Sequence, residues 1–402
     1  MQRKKDDLYV IAAAYLSCQQ DYLGSQKNTQ EEIAKALSIS QALVSRLIRR
    51  ARQLGILEVK TRFASERVNP EELATVKARL SVGPLQQKLA RIGALAPGKR
   101  APTLHVYPCH SRNTSEVTWR HRIQSFSVDC AEDLLKVLQS ASVVGVAWGE
   151  MVATAIDAMK KAQTDRRDPR ESAQTVIPLL GEPLGRTITQ HSSSVLASKL
   201  AETFNPNVRP GSTLSLAPVP ALIPEGMTKA EIRAIRKLIG RITAYHEIYG
   251  AEESDSHGKG KFVPWIGRVD AILTSISAQE RPLGFDDDRL VRAAGIRRER
   301  LNELVIGDLC GAVIPRPHLD SASKNEIESI MERWTGVSLT QLEACANRAR
   351  NGAPGIIVLA IGANKASVVH EALRRGLIQH LFMDEDLADR LGEICAVPSH
   401  NA

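Results

Sequence analysis

Two stretches in the larger part of the chain join an apolar run to a glycine and then to a helical pattern, which is where a protein can hold an anion. In "VAWGEMVATAI" Gly149 is followed by Glu150 and Met151, and in "LAIGANKASVV" Gly362 is followed by Lys365. At a strand-to-helix turn the first N–H groups of the helix point outward and attract negative charge. A lysine in that first turn adds a compact positive charge. Glycine also serves such turns for steric reasons, so the pattern alone does not make a site. Asp308, Asp384 and Glu385 are the candidate general bases, were the chain to catalyse a proton transfer. Asp384 and Glu385 precede "DLADRL", where acids are expected simply as helix N-terminal caps. No Ser-His-Asp or Cys-His set has supporting spacing. The six cysteines include no C-x-x-C pair, and the adjoining Cys109 and His110 cannot by themselves complete a tetrahedral shell. No catalytic residue, metal or cofactor is therefore assigned.

The second constellation lies near the other end, in "TQEEIAKALSISQALVSRLIRRARQLG" (29–55). Thr29 and Glu32 have capping-box spacing and start a helix whose stripe is Ile33, Ala34 and Leu37. "SIS" interrupts it, and Ser40 caps a second helix that runs to Leu54 and ends at Gly55. This spacing predicts a helix-turn-helix. At 100° per residue Val44, Leu47, Ile48, Ala51 and Leu54 share one side of the second helix, while Ala42, Ser45, Arg46, Arg49 and Gln53 share the other. Small residues followed by arginines suit insertion in the major groove of double-stranded DNA, with Arg50 and Arg52 placed to meet phosphates. Thr29, Gln30, Ser40 and Gln41 complete the candidate DNA-contacting set. "DDLYVIAAAYLSC" supplies a third packing helix, and "GILEVKTRF" a partial wing.

The elements that must position these residues fall into three segments: a helical DNA-binding domain (1–62), a linker and a helix leading onward (63–99), and a larger domain (100–402). Seven short apolar runs, at 103–108, 143–148, 175–180, 212–217, 269–276, 355–361 and 376–383, alternate with helical stretches at 130–141, 195–204, 228–242 and 364–376. This is α/β alternation around a mostly parallel sheet. The charged, glycine-bearing segments 160–174 and 246–262 read as exposed loops. Of a formal net charge of +8, residues 1–62 hold +5, from eleven Lys/Arg against six Asp/Glu, so the positive field is concentrated where DNA binding is expected. The first residues, "MQRKKDDLYV", lack a secretory apolar run, and no stretch is long and apolar enough to span a bilayer, so a cytoplasmic location is expected.

The chain resembles the SorC family of bacterial transcriptional regulators over nearly its full length. "TQEEIAKALSISQALVSRLIRRARQLGI", "VVGVAWGEMVATAI", "IGDLCGAVIP" (306–315) and "ALRRGLIQHLFMDEDLADRL" (372–391) look like the family's blocks, in order. The resemblance implies a larger domain similar to sugar-phosphate isomerases and glucosamine-phosphate deaminases that senses without turnover. It also implies homodimers or homotetramers whose DNA binding responds to a small-molecule effector, a phosphorylated sugar or a derivative. Carried over, it nominates Gly149, Glu150, Met151, Thr274, Ser275, Asp308, Gly362 and Lys365 as effector contacts. Departures from the family pattern lie in the same places: Met151 for a usual threonine, "TSIS" for a glycine pair at 274–277, Ile361 for a glycine, "IPRPH" after the 308–311 turn, and Gln41 for a common arginine. They point to a ligand unlike a typical phosphosugar, or to a vestigial pocket. Two rival readings remain: a sugar-phosphate isomerase or deaminase with an accessory basic domain, and a DNA-binding protein whose larger domain only oligomerises.

Overall fold

The computed structural model describes residues 10, 12–13, 29–53, 92, 101–108, 116–164, 174–182, 190–207, 209, 211–250, 263–278 and 295–396. The chain divides into two compact units, Met1–Leu80 and Ser81–Ala402. The expected wing after Gly55, most of the linker, the segments 165–173 and 251–262, and Cys109-His110 lie outside the described residues.

In the first unit, α1 (Gln30–Leu37) begins at Thr29, whose hydroxyl accepts from Glu32 N–H while the Glu32 carboxylate accepts from Thr29 N–H at 2.6 Å. Ser38 ends it in the left-handed region at φ 54°, and Ser40 caps α2 (Gln41–Gln53) through Leu43 N–H at 3.3 Å. Ile33, Ala34, Val44, Ile48 and Ala51 are buried against helical Val10 and Ala13.

The second unit is built on one sheet. In chain order come β1 (Thr103–Tyr107), α3 (Glu116–Leu138), β2 (Val143–Val146), α4 (Glu150–Thr164), β3 (Thr175–Pro178) and α5 (Ser193–Phe204). Then follow α6 (Lys229–Ile239), α7 (Thr243–Tyr249), β4 (Ala271–Ala278), α8 (Arg298–Leu304), and the hairpin β5 (Val305–Leu309) and β6 (Ala312–Pro315). The chain continues through α9 (Ser321–Met331), α10 (Leu339–Arg348), β7 (Gly355–Ala360), α11 (Ala366–Arg374), β8 (His380–Asp384) and α12 (Glu385–Ala396). The sheet order is β1-β8-β7-β4-β2-β3, and every pairing along it is parallel. Strands sandwiched between helices lose the in-out alternation of polarity, and β2 and β7 are buried at every residue. Val144, Val146, Leu273, Ile357 and Phe382 face α3, α4 and α5. Ile272, Ile356, Val358, Leu381 and Met383 face the side covered by α10, α11 and α12.

Two sequence expectations are corrected. Residues 212–217 alternate like a strand but form none. Side chains take the N–H groups a ladder would need: Leu216 N–H donates to Ser194 Oγ at 2.9 Å and Ala217 N–H to Ser215 Oγ at 3.3 Å. Conversely, 305–315 forms an antiparallel hairpin on the far end of β4, turning at Cys310 and Gly311, both at positive φ, as a two-residue hairpin turn requires. In addition, α3 starts well before residue 130, and the run at 376–383 becomes strand only from His380.

Candidate functional site

The strand order reverses between β2 and β4. From β2 the chain moves outward to β3, then returns to β4 on β2's other side and proceeds to β7 and β8. In open α/β sheets the crevice beyond the carboxyl ends at such a reversal is where ligands lie. Here that crevice is bounded by Gly149 after β2 and Ser275 in β4: a Cβ placed on Gly149 would come 3.5 Å from Ser275 Oγ, and the backbone there sits at φ +126°. Further along the same end of the sheet lie the Gly362 turn, the Asp308 hairpin and Asp384.

Gly362 holds φ +92° beside the ring of Trp119, which would be 3.5 Å from an added Cβ. Its N–H donates to Asp384 Oδ1 at 3.1 Å, and the next amide, Ala363 N–H, to Asp386 Oδ2 at 3.4 Å. Asp384 Oδ1 also accepts from Leu387 N–H at 3.1 Å, capping α12. Its other oxygen accepts from Arg122 Nε at 2.8 Å and from the same guanidinium's Nη2, which reaches Asp386 Oδ2 at 2.9 Å as well. Arg122 and Asp384 are almost wholly buried. Asp384 is thus committed to a guanidinium and two amides, an arrangement that holds a turn rather than one that moves protons.

Lys365 stands in the same neighbourhood, and its ammonium makes no hydrogen bond or ion pair with the described residues. Burial pushes its ammonium down to about 8, against the pull of Asp384 and Asp308, and Arg122 adds to the lowering. Asp308 Oδ2 accepts from Gly311 N–H at 3.0 Å and so shapes the β5–β6 turn while facing Lys365. At the first junction Gly149 N–H donates to His191 O at 3.1 Å. The Glu150 carboxylate stands in the first turn of α4, 3.7 Å from Arg120 Nε. Beyond β3, both oxygens of buried Glu182 lack a hydrogen-bond partner among the described residues, and burial raises its carboxyl above the usual range.

Of the residues nominated from sequence, the structure brings Gly149 to Ser275 and Lys365 within electrostatic reach of Asp308, and it joins Gly362 to Asp384. It turns two away from the crevice. Thr274 is buried and its hydroxyl donates to Ser275 O at 2.8 Å, because strand alternation gives the two residues opposite faces. Met151 is buried in the core under α3 and α5. Sequence reading missed Arg122, Trp119 and Asp386. Their roles rest on contacts between residues far apart in the chain, and no local spacing signals those.

In the first unit the outward face of α2 carries Gln41, Ala42, Arg46, Arg49 and Arg50, all exposed, with Ser45 partly buried at its edge. Thr29, Gln30 and Ser40 are exposed beside the two caps. Arg46 Nε lies 3.4 Å from Ala42 O on its own helix. The side chain of Arg52 lies outside the described residues.

No protein-family model matches the sequence, and no curated relative matches it. Among solved structures, the full-length sorbitol operon regulator SorC from Klebsiella pneumoniae is similar at TM-score 0.51 and 19% identity, over 97% of this chain and 99% of that one. A probable sor operon regulator from Shigella flexneri follows at TM-score 0.49 and 17% identity, over 76% and 97%. A DeoR family transcriptional regulator from Listeria monocytogenes gives 0.48 and 17%, over 72% and 92%. At 19% identity the likeness to the first of these shows the fold, a mixed α/β architecture with a mostly parallel sheet.

Proposed function

We propose that a chain of this fold is a sequence-specific DNA-binding transcriptional regulator whose larger unit senses a small carbohydrate-type metabolite in the crevice between Gly149, Ser275 and Lys365. The observation that carries the reading is the segregation of α2: Val44, Ile48 and Ala51 are buried while Arg46, Arg49 and Arg50 are exposed on a helix capped by Ser40. A helix so presented enters the major groove with its arginines reaching base edges and phosphates. The likeness to a full-length sorbitol operon regulator supports joining such a unit to a sensor. Paired half-sites, and hence a homodimer or homotetramer, are the expected mode of binding. The sensor reading is favoured over an enzyme because the carboxylate best placed for proton transfer, Asp384, is engaged by Arg122 and two backbone amides. No helix among the described residues is long and apolar enough to cross a membrane.

The test is selection of bound fragments from sheared genomic DNA by the purified protein at about physiological salt, with an Arg46→Ala/Arg49→Ala variant alongside. A few loci sharing a paired motif, absent with the variant, are expected. The same random fragments from both proteins would remove the groove assignment.

A further inference from the structure

At the two turns that could cradle an anion at this site, leading amides are already taken from within the chain. Gly362 N–H and Ala363 N–H are held by Asp384 and Asp386, and Lys365 N–H by Gly362 O at 3.1 Å. At the other turn Gly149 N–H is held by His191 O, and Glu150 already supplies negative charge to the start of α4. A phosphate arriving at the Gly362 turn would meet carboxylates where it needs donors. Among the described residues around the turn, Asp308, Asp384 and Asp386 outnumber Lys365 and Arg122. Like charges brought together at an interface cost binding energy and exclude the wrong partner. What the crevice does offer is mixed: carboxylate acceptors, one ammonium donor at Lys365, and the ring of Trp119 beside Gly362. Hydroxyl groups both donate and accept, so they can use both kinds of partner, and an apolar ring face can cover their C–H bonds.

We propose that this site takes an uncharged polyhydroxyl ligand, an unphosphorylated sugar or polyol, and that the Asp386 carboxylate, supported by Asp384, fills the place at the Gly362 turn that a ligand's phosphate would take. The proposal rests on the sensor reading above for its ligand and on the geometry of the turn for Asp386.

Inorganic phosphate is the direct probe of the turn, read by calorimetry and by thermal unfolding of the full chain. The wild-type protein is expected to show no binding and no shift. Asp386→Ala, which leaves Asp384 on Arg122 and frees Ala363 N–H, is expected to gain phosphate binding that is lost again in Asp386→Ala/Lys365→Ala. Asp386→Asn, of the same shape, serves as the folding control and is expected to show a smaller gain. Matched pairs of sugars with and without a phosphate are then titrated into the wild type, the unphosphorylated member being expected to bind on the order of tenfold or more tightly. Phosphate or sugar-phosphate binding to the wild type that disappears in Lys365→Ala overturns the proposal, as does failure of a folded Asp386→Ala protein to gain phosphate. If no sugar of either kind binds or alters DNA affinity, the sensor reading fails and the polyol assignment with it. The phosphate titration of Asp386→Ala still decides the role of Asp386.

Discussion

Glu182 is buried with neither carboxylate oxygen hydrogen-bonded among the described residues, and an unsatisfied buried charge works against folding. Its folded pKa is raised by burial. The stability it contributes is therefore full below the ordinary glutamate range and is lost as pH rises through the folded value. Glu182→Gln should accordingly stabilise the protein at neutral pH by on the order of 1 kcal/mol. That gain should vanish when urea unfolding is repeated below the glutamate range, and a gain unchanged by acid would mean that the charge is not the cause. Asp384 shows how far single residues could be read from sequence. Its place before "DLADRL" announces a cap, and it caps Leu387 N–H as expected. Its partner Arg122 lies 262 residues away in the chain, and nothing in the local pattern of "WRHRIQS" distinguishes that arginine from its exposed neighbour Arg120. Charge type was legible, and pairing across the sheet was not.

Elements fixed by local chemistry were the most legible. The capping box at Thr29, the break at Ser38–Ser40 and the buried stripe of α2 all follow from spacing within a few residues. Thr29→Ala removes one half of that box and should cost about 1 kcal/mol. Measured by unfolding of the first unit, the loss should appear together with weaker DNA binding, since α1 positions the start of α2; a loss of DNA affinity with no loss of stability would assign Thr29 a direct contact instead. The strands buried on both faces were also visible as apolar runs. The hairpin β5–β6 was not, because its short strands are interrupted by Asp308 and by the Cys310-Gly311 turn and are stabilised by pairing with β4. Position within a strand mattered in the same way at Thr274 and Ser275: one residue of register decides which faces Cys310 and the core and which faces Gly149. A clamp that no pattern revealed is Ser193, whose hydroxyl donates to Val146 O at 2.6 Å and accepts from Leu179 N–H at 2.9 Å. It thereby ties the ends of β2 and β3 to the start of α5.

At the scale of the molecule, the chain divides into two units, and composition hinted at this through the concentration of charge in residues 1–62. Binding through phosphates as well as bases predicts that DNA affinity falls steeply with salt, log K against log salt having a slope of about −0.9 for each phosphate contacted. Arg50→Ala should flatten that slope by about one unit on specific and random DNA alike. An unchanged slope would take Arg50 off the backbone.

The order of strands in the sheet has a consequence for how the protein is made. Among the described residues β1 pairs only with β8, and His105 and His380, which meet across that pair, are 275 residues apart. At the roughly 5–20 residues per second of synthesis, β1 waits on the order of 15–55 s on the ribosome with both edges open before its neighbour emerges. The helices α1 and α2 are complete long before then. On the proposed function, a nascent chain is therefore expected to pass through an interval in which its first unit can bind DNA while the ligand crevice is not yet formed. Ribosome-arrested chains stopped before His380 should leave Thr103–Tyr107 open to protease, and chains that extend past Ala396 should not. The last strand, slotted between β1 and β7, acts as the key that closes the sheet, and premature termination ahead of it leaves the Gly362 turn without Asp384 and Asp386.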